Sequence, residues 1–472
     1  MAAILGTGCS ASEAATVKVY PAPAGETLSK DYLVRVGGKA SPVYVARVAP
    51  ADRTLRWKAM DDKANSANFY EKASFTYFDM QGTTKVVVTC AQRVTSARIL
   101  PTSLGIKPVV RGRTVSFSLA QPKPLTLEIN GTWVGCLHLF ANPPEKDVPK
   151  AGDPNVIYFG PGIHEVTRLV VGDNKTVYVA GGAIVRAVIG PQEKYTISSY
   201  SGLKTYAPTL ELRGRNIKLR GRGIIDATGC TTHARNMVFV TGQDISLEGV
   251  ILRDASTWNI PVRQSDRVTV RNLKILGYRA NSDGIDICNS RDVTVEDCFI
   301  RTLDDLIVVK SDKGQGLVKR IVARNCVLWN EVAHALSIGA ELSEDVDDVL
   351  FTNCDVIHDF GREWSLRVYH CDAATISNVR FEDLRIEEAQ RFISLWIGKA
   401  YWTRDDERGR IRGVTFRRIR AAGANPLVEF VGFDASHLIE DVTLEDVVVN
   451  GKPLAARDVK SNAFVRDVVV KP

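Results

Sequence analysis

The sequence predicts an all-β protein in which a β-sandwich precedes a right-handed parallel β-helix. Two observations lead to this prediction. From residue 217 onward a short strand pattern recurs every 23 to 35 residues, with almost no helical periodicity between the copies. Before about residue 145, short alternating stretches are separated by glycine, proline and asparagine turns. The first pattern is typical of a stacked solenoid and the second of a sandwich.

The recurring strand alternates apolar and polar residues and ends in a polar or glycine pair. Its copies start at Ile217, Ile245, Val268, Val293, Ile321, Val349, Val379, Val414 and Val442. A unit of this length cannot bury its apolar face alone, so successive units stack. Because stacked strands lie about 4.8 Å apart, residues at matching positions in successive coils become neighbours. We therefore expect the β-helix to occupy residues 146–472.

The sandwich is expected to occupy residues 21–145. Alternating stretches that suit strands with one buried face lie at 85–89, 114–118 and 125–129. A proline-rich stretch from Pro143 to Pro149 is the expected linker. We expect the sandwich to cover the open end of the β-helix, where unpaired strand edges would invite aggregation.

Residues 1–20 are interpreted as a flexible terminus or as the remnant of a lipoprotein signal, with Cys9 as the lipidated residue. A complete signal would need a basic region and a longer apolar run before that cysteine. The second interpretation predicts a protein that is secreted, periplasmic or lipid-anchored at the bacterial cell surface. No segment of the sequence is long and apolar enough to form a transmembrane span.

The charge and cysteine patterns exclude several classes of function. The chain has 61 basic and 54 acidic residues, a net charge of +7, and the basic residues are scattered rather than clustered with aromatic ones. Nucleic acid is therefore not an expected partner, whereas an anionic polymer is compatible.

The sequence lacks a C-x-x-C pair, and neither a metal nor a cofactor is predicted. The 28-residue spacing of Cys298, Cys326 and Cys354 predicts a buried column of thiols. Oligomeric state is not predicted.

Functional residues fall in one part of successive coils. Counted from the start of each coil, Trp258 is at position 13, Asp283 at 15, Asp304 and Asp305 at 11 and 12, His334 at 13 and Arg367 at 18. Any one of these residues alone would more often belong to a turn, an ion pair or the core. Together they predict a groove that crosses about five coils, long enough for several sugar units.

Crowded carboxylates of this kind suit the hydrolysis of a glycosidic bond. Like charges raise the pKa of at least one acid, which leaves a proton donor beside a proton acceptor. Glycoside hydrolysis needs such a pair, one acid for the leaving oxygen and one carboxylate to activate water. A polysaccharide is therefore the expected partner, and Trp258 offers a ring face for a sugar to stack on.

The motifs around these residues resemble glycoside hydrolase family 28, the polygalacturonase family of pectin-lyase-like parallel β-helices. They are Asn281-Ser282-Asp283-Gly284, Asp304-Asp305, Ala333-His334-Ala335 and Leu366-Arg367-Val368-Tyr369. The resemblance implies that Asp304 is the general acid and that Asp283 and Asp305 activate a water that inverts the anomeric centre. It also implies that His334 supports the acids and that Arg367 binds the substrate, and it places Lys310 and Glu341 in the matched stretch, where they are expected to shape subsites. Asn281, Trp258 and Tyr369 are further expected substrate contacts.

Two departures from the family pattern keep the substrate open. Tyr369 stands where the family has a lysine that holds a galacturonate carboxylate, and alanines replace both glycines beside His334. A sandwich ahead of the β-helix is also similar in plan to family 49, the dextranases. The best prediction is an inverting hydrolase of a pectic, galacturonan-type chain. The alternatives are a neutral-glucan hydrolase, a polysaccharide lyase and a non-catalytic glycan-binding solenoid.

Overall fold

The computed structural model describes residues 15–424 and 426–472. Cys9 and the lipoprotein-signal prediction therefore lie outside the described residues. The described chain forms a β-sandwich followed by a right-handed parallel β-helix, as the sequence predicts. No helix within these ranges has the length and apolar character needed to cross a membrane.

The sandwich is built from two sheets. Strands of the first sheet are Thr16–Val19, Tyr44–Val48, Glu71–Gln81, Ala97–Leu100, Pro124–Ile129 and Thr132–Asn142. Strands of the second are Tyr32–Val36, Lys39–Ser41, Thr84–Cys90, Val109–Arg111 and Thr114–Leu119. All pairings are antiparallel except that of Glu71–Gln81 with Thr132–Asn142, which is parallel. The sheet begins at Thr16, so the sequence-based boundary at residue 20 falls after a strand that already pairs with Glu71–Gln81.

The β-helix consists of three parallel ladders that each coil visits in turn. Ladder A contains Val156–Phe159, Thr176–Val179, Leu210–Gly221, Val238–Glu248, Asp266–Arg271, Arg291–Glu296, Val318–Arg324, Val346–Thr352, Thr375–Glu382, Arg410–Ala421, Ile439–Val449 and Val468–Lys471. Ladder B contains Gly162–Val166, Ala183–Ala187, Ile224–Asp226, Ile251–Arg253, Lys274–Leu276, Phe299–Thr302, Val327–Asn330, Asp355–Asp359 and Arg385–Ile386.

Ladder C completes each coil. It contains Leu169–Val171, the first halves of two long strands of ladder A, and then Ile260–Arg263, Ile285–Cys288, Ile307–Ser311, Leu336–Leu342, Leu366–His370, Ile393–Ile397, Val428–Val431 and Val459–Ser461. Short elements outside the ladders are the hairpin strands Tyr195–Ile197 and Lys204–Tyr206, the terminal strand Lys452–Pro453, and the 3-10 helices Ser66–Asn68, Thr102–Leu104 and Ala456–Asp458.

In five successive coils, the polar residue after the ladder A strand makes the bend into ladder B. Asn272, Asp297, Asn325, Asn353 and Asp383 all have φ between 50° and 59°. Asn and Asp tolerate this left-handed conformation better than other residues with a side chain. The recurring terminal pair in the sequence is therefore the corner of the coil.

Apolar side chains from the three ladders fill the interior of the β-helix. Cys298, Cys326 and Cys354 lie in this core as free, buried thiols. The backbone N–H of Cys326 is 3.4 Å from the sulfur of Cys354 on the next coil. The predicted thiol column is confirmed.

The sandwich packs along the side of the β-helix, not over its end, so this part of the prediction is wrong. Aromatic side chains of the first sheet, among them Tyr44, Phe75 and Phe140, contact the outer face of ladder B. That outer face is an apolar column, formed by Ile184, Ile224, Ile251, Leu276, Phe299, Val327, Trp329 and Ile357. Burying apolar surface stabilises by roughly 25 cal/mol per Å². An apolar column that spans many coils is therefore a more favourable docking surface than the open end of the β-helix.

One α-helix connects the sandwich to the turns between ladders B and C. It spans Arg53–Asp61, and the Asp52 carboxylate caps it by accepting the backbone N–H of Thr54 at 2.8 Å. Ala59 packs against Leu303 and Val332 of the β-helix. The residues that follow the helix are thereby brought to the predicted groove.

Candidate active site

The candidate site lies where each coil passes from ladder B to ladder C. Asp283, Asp305 and His334 each stand two residues before a ladder C residue, and those three residues, Ile285, Ile307 and Leu336, pair in register. Backbone bonds hold the turns together: the N–H of Gly284 donates to the carbonyl of Asp305 at 2.8 Å, and that of Leu306 to the carbonyl of His334 at 3.0 Å. The three side chains therefore form a column.

Trp258 and Arg367 were also predicted to belong to this column, but only Trp258 has the matching register. Trp258 stands two residues before Ile260, which pairs with Ile285, so it belongs to the same column. Arg367 instead lies inside its ladder C strand, where it pairs with Ser337. The equivalent position in that coil is the buried Trp364. Counting positions from the start of the ladder A strand placed Arg367 in the column, because the connection from that strand to ladder C is longer in this coil.

The Asn-x-Asp-Gly motif is required by the geometry of the turn. A Cβ atom on Gly284 would lie 2.3 Å from the carbonyl oxygen of Leu306, so a side chain does not fit there. Asn281 has a φ of 56°, which Asn adopts more readily than most residues. Its amide also donates to Oδ2 of Asp304 at 3.3 Å. The motif thus shapes the turn and orients one of the acids.

The three aspartates lie close enough to share protons. One carboxylate oxygen from each of Asp283, Asp304 and Asp305 lies within 4.8 Å of the others. Burial raises the pKa of Asp304 well above its usual range, and the charges of the other two acids raise it further. Burial also raises the pKa of Asp283 to about 6, against the opposing charge of Lys310. The cluster therefore contains acids of clearly different strength.

Asp305 differs because His334 binds it. Burial would raise the pKa of Asp305, but its interactions with His334 and, less strongly, with Lys310 outweigh burial and lower it. Nδ1 of His334 is 2.6 Å from Oδ1 of Asp305, and its Nε2 is 3.1 Å from a guanidinium nitrogen of Arg367. Since arginine only donates, Nε2 accepts and Nδ1 carries the proton that is donated to Asp305. Arg367 is in turn held by Glu363 at 2.6 Å.

Lys310 lies behind Asp283 on the outer face of ladder C. Its ammonium is 3.1 Å from Asp283 and 3.0 Å from Asp286, and it lies 4.2 Å from the ring centre of Trp258. Asp286 was not predicted as a site residue. The alternation of strand Ile285–Cys288 contained the signal, because it directs Asp286 to the outer face, where Lys310 on the next coil can reach it.

These residues open into a cavity of about 930 Å³. The predicted site residues that line it are Trp258, Asn281, Asp283, Asp304, Asp305, Lys310, His334, Glu341 and Tyr369. Arg367 does not line it but contacts three residues that do, His334, Glu363 and Tyr369. The ring of Tyr369 lies 3.9 Å from the Arg367 guanidinium and covers it.

Several cavity residues come from parts of the chain that the sequence argument did not connect to the site. They are Met60 and Asp61 at the end of the α-helix, Lys63 just after it, Tyr200 in the hairpin, His233, and Tyr401, Trp402 and Arg404 in a later loop. Nε2 of His233 donates a hydrogen bond to the amide oxygen Oδ1 of Asn281 at 3.0 Å. No repeat position marks these residues, since their loops vary in length from coil to coil.

The acid cluster also has the donor chemistry of a cation site. Asp283, Asp304 and Asp305 each offer one oxygen, and carboxylate oxygens are the usual ligands of Ca²⁺ and Mg²⁺. The ammonium of Lys310 and the imidazole of His334 already contact two of the three acids. The ammonium supplies positive charge that a metal would otherwise bring, and the imidazole supplies a hydrogen-bond donor.

Parts of the chain are similar to known plant proteins. An exopolygalacturonase of Arabidopsis thaliana is 23% identical over 248 residues, which cover 48% of this chain and 56% of the relative. Two probable polygalacturonases, from Vitis vinifera and Arabidopsis thaliana, match over 23% and 25% of their lengths. The chain thus spans about half or less of the length of these plant relatives.

Two solved structures share the fold along nearly the whole chain. The family 28 exopolygalacturonase of Yersinia enterocolitica covers 98% of this chain, and the chain covers 96% of it, with a TM-score of 0.50 and 15% identity. Dex49A of Penicillium minioluteum covers 96% of this chain, with 96% of its own length matched, a TM-score of 0.59 and 12% identity. A sequence model of "Glycosyl hydrolases family 28" matches residues 208–464, which is more than half of the chain and includes every acid of the cluster. The chain therefore belongs to glycosyl hydrolase family 28.

Proposed function

We propose that the protein hydrolyses O-glycosidic bonds in a pectic, galacturonan-type polysaccharide, with Asp304 as the general acid. The observation that carries this proposal is the split in acid strength within the cluster. The raised pKa of Asp304 keeps it protonated, and the lowered pKa of Asp305 keeps it ionised. A glycosidase needs both states at one pH.

The proposed reaction uses the three acids in one displacement. Asp304 gives its proton to the glycosidic oxygen as the bond from that oxygen to the anomeric carbon breaks. A water between Asp283 and Asp305 forms the new bond to the carbon, and Asp283 takes the proton that the water loses. Asp283 has a pKa of about 6, which suits a base that works near neutral pH. Proton exchange with solvent then restores both acids.

Inversion of the anomeric centre is supported by the family resemblance rather than by the spacing of the acids. Inverting pairs usually lie roughly 6.5–9.5 Å apart, whereas the closest oxygens here lie within 4.8 Å. We propose that the third carboxylate lets a water fit beside the pair at this shorter distance. Proton NMR of the first product tests this, because the opposite anomer would indicate retention.

The pectic substrate is supported by the cations of the cavity. The lysines and arginines that line it are Lys63, Arg263, Lys310, Arg362 and Arg404, and within the part of the chain that the structure describes all but Lys63 pair with a carboxylate, which leaves Lys63 to attract an acidic polymer. The names of the plant relatives point to the same class of substrate. A cell meets such a polymer outside its membrane, so we also propose a secreted, periplasmic or cell-surface location, which fractionation of the producing cells tests.

A neutral glucan is the second candidate. Tyr369 stands where the family resemblance places a lysine, and its ring covers Arg367. A neutral aromatic ring suits a sugar without a carboxylate. The likeness to Dex49A concerns the fold and does not decide between the two substrates.

Reducing-end release from polygalacturonate, rhamnogalacturonan, dextran and pullulan tests the proposal. We expect release from an acidic polymer and loss of nearly all turnover in Asp304→Asn. Asp292→Asn is the matched control, because Asp292 is a surface carboxylate paired with Arg320. Release from a neutral glucan alone would favour the second candidate. Unsaturated products would favour a lyase, and tight binding without any product would favour a glycan-binding solenoid.

A further inference from the structure

Lys63 differs from the other lysines and arginines that line the cavity. Each of the others has a carboxylate partner: Arg263 pairs with Asp312, Arg404 with Asp312 and Glu341, Lys310 with Asp283 and Asp286, and Arg362 with Asp61. Within the described residues, Lys63 has no carboxylate oxygen within 4.0 Å of its ammonium. Its contact is the ring of Tyr200, whose centre lies 4.2 Å away.

The segment that carries Lys63 is fixed to the β-helix on both sides. Before it, Asp61 accepts hydrogen bonds from the Arg362 guanidinium at 2.7 and 3.0 Å. After it, the hydroxyl of Ser66 accepts the backbone N–H of Ala280 at 2.7 Å. Lys63 belongs to the sandwich domain by sequence, but these contacts hold it at the cavity.

A row of contacts leads from Lys63 to the general acid. The ring of Tyr200 stacks on His233 with centres 6.1 Å apart and an angle of 19°. His233 bonds to Asn281 at 3.0 Å, and Asn281 donates to Asp304 at 3.3 Å. Lys63 and the acid therefore both line the cavity and are connected by an unbroken row of contacting side chains.

We propose that Lys63 binds the carboxylate of a uronic acid unit next to the bond that is cleaved. A cation over an aromatic ring keeps N–H groups that remain available to an anion. Tyr369 stands where a lysine is expected from the family pattern, so the carboxylate needs a cation from another part of the chain. The docked sandwich domain supplies that cation. This inference rests on the proposed function and names the residue that sets its preference for an acidic sugar.

The test compares free-acid oligogalacturonate with its methyl ester, which removes the charge and keeps the sugar. We expect Lys63→Met to lower the free-acid preference in kcat/KM by about tenfold, mainly through KM, because charged hydrogen bonds carry that order of energy. Lys63→Arg should restore much of the preference. Lys58→Met is the matched control, since Lys58 lies over the ring of Phe69 on the same segment and does not line the cavity.

Binding measured by calorimetry in an Asp304→Asn background separates the two claims. Free-acid binding that weakens with Lys63→Met supports the inference even if the wild-type protein hydrolyses neither compound, in which case the proposed function fails alone. Hydrolysis with an unchanged free-acid preference in Lys63→Met overturns the inference and leaves the proposed function intact. Absence of both binding and hydrolysis overturns both.

Discussion

Nδ1 of His334 lies 2.6 Å from Oδ1 of Asp305, and the two residues occupy the same position in successive coils. Stacking of the coils thus creates a pair that lies 29 residues apart in sequence. Because Nε2 of the same ring accepts from Arg367, the imidazole is held with its proton directed at Asp305. One acid of the cluster is kept ionised while its neighbour is kept protonated.

Loss of the imidazole should weaken the ionised acid. We expect His334→Ala to lower kcat by about 10²-fold and to shift the acidic limb of the pH–rate profile to higher pH. The shift is upward because His334 lowers the pKa of Asp305, so its removal raises that pKa. His437→Ala is the control, since His437 pairs with Asp434 at 2.7 Å outside the cavity. An unshifted acidic limb in His334→Ala would show that Asp305 does not depend on the imidazole.

The pH dependence of the wild-type protein should reflect Asp283 and Asp304. Below about pH 6, Asp283 takes up a proton and kcat/KM should fall, since burial raises its pKa to about 6. At high pH, the rate should fall again as Asp304 loses its proton. The two apparent pKa values belong to the coupled cluster rather than to single residues.

The charge of Lys310 favours the ionised form of Asp283, so Lys310→Met should move the acidic limb to higher pH. Lys319→Met is the control, because Lys319 pairs with Asp347 at 2.9 Å on the surface. A wild-type rate that stays flat from pH 4 to 7 would contradict the role given to Asp283.

The sequence predicted the β-helix and the acid column because both follow from a local repeat. Each strand contains its own alternation, and the spacing of the coils fixes which residues become neighbours. The position of Asp283, Asp305 and His334 followed from this without knowledge of any loop. The position of Arg367 did not, because its coil contains a longer connection and the count began in the wrong ladder.

Side chains outside the repeat could not be predicted in this way. Lys63 and Tyr200 reach the cavity from the sandwich and from a hairpin, and their placement depends on how two domains dock. The docking itself depends on an apolar outer face of ladder B, to which each coil contributes only one or two residues. A single coil does not distinguish such a face from the core, since buried strands are apolar on both sides.

The contact between the domains should depend on pH through His358. Its imidazole lies 2.5 Å from Glu128 of the sandwich and 2.7 Å from Glu388 of the β-helix. Burial would lower the pKa of His358, but the bonds and charges of the two glutamates outweigh burial and raise it. A raised pKa contributes stability that is complete below the unfolded value of about 6.5 and is lost as pH rises through the folded value.

We therefore expect the free energy of unfolding to decrease as pH rises above neutral, with a smaller decrease in His358→Gln. At pH 6 the substitution should cost about 3 kcal/mol, because it leaves a buried carboxylate without its partner. Urea unfolding at several pH values measures both quantities. Equal pH dependence in the two proteins would assign the effect to other groups.

Removal of divalent metal should leave the activity unchanged. Lys310 lies 3.1 Å from Asp283 and His334 lies 2.6 Å from Asp305, so an ammonium and an N–H donor already contact two of the three acids. A metal bound there would have to displace the ammonium. It would also keep Asp304 ionised, so that Asp304 could not donate a proton as an acid. We expect equal rates before and after treatment with a chelator, measured on the preferred polysaccharide. Loss of activity that added Ca²⁺ restores would contradict the acid–base assignment, since a lyase commonly holds its acidic substrate through calcium.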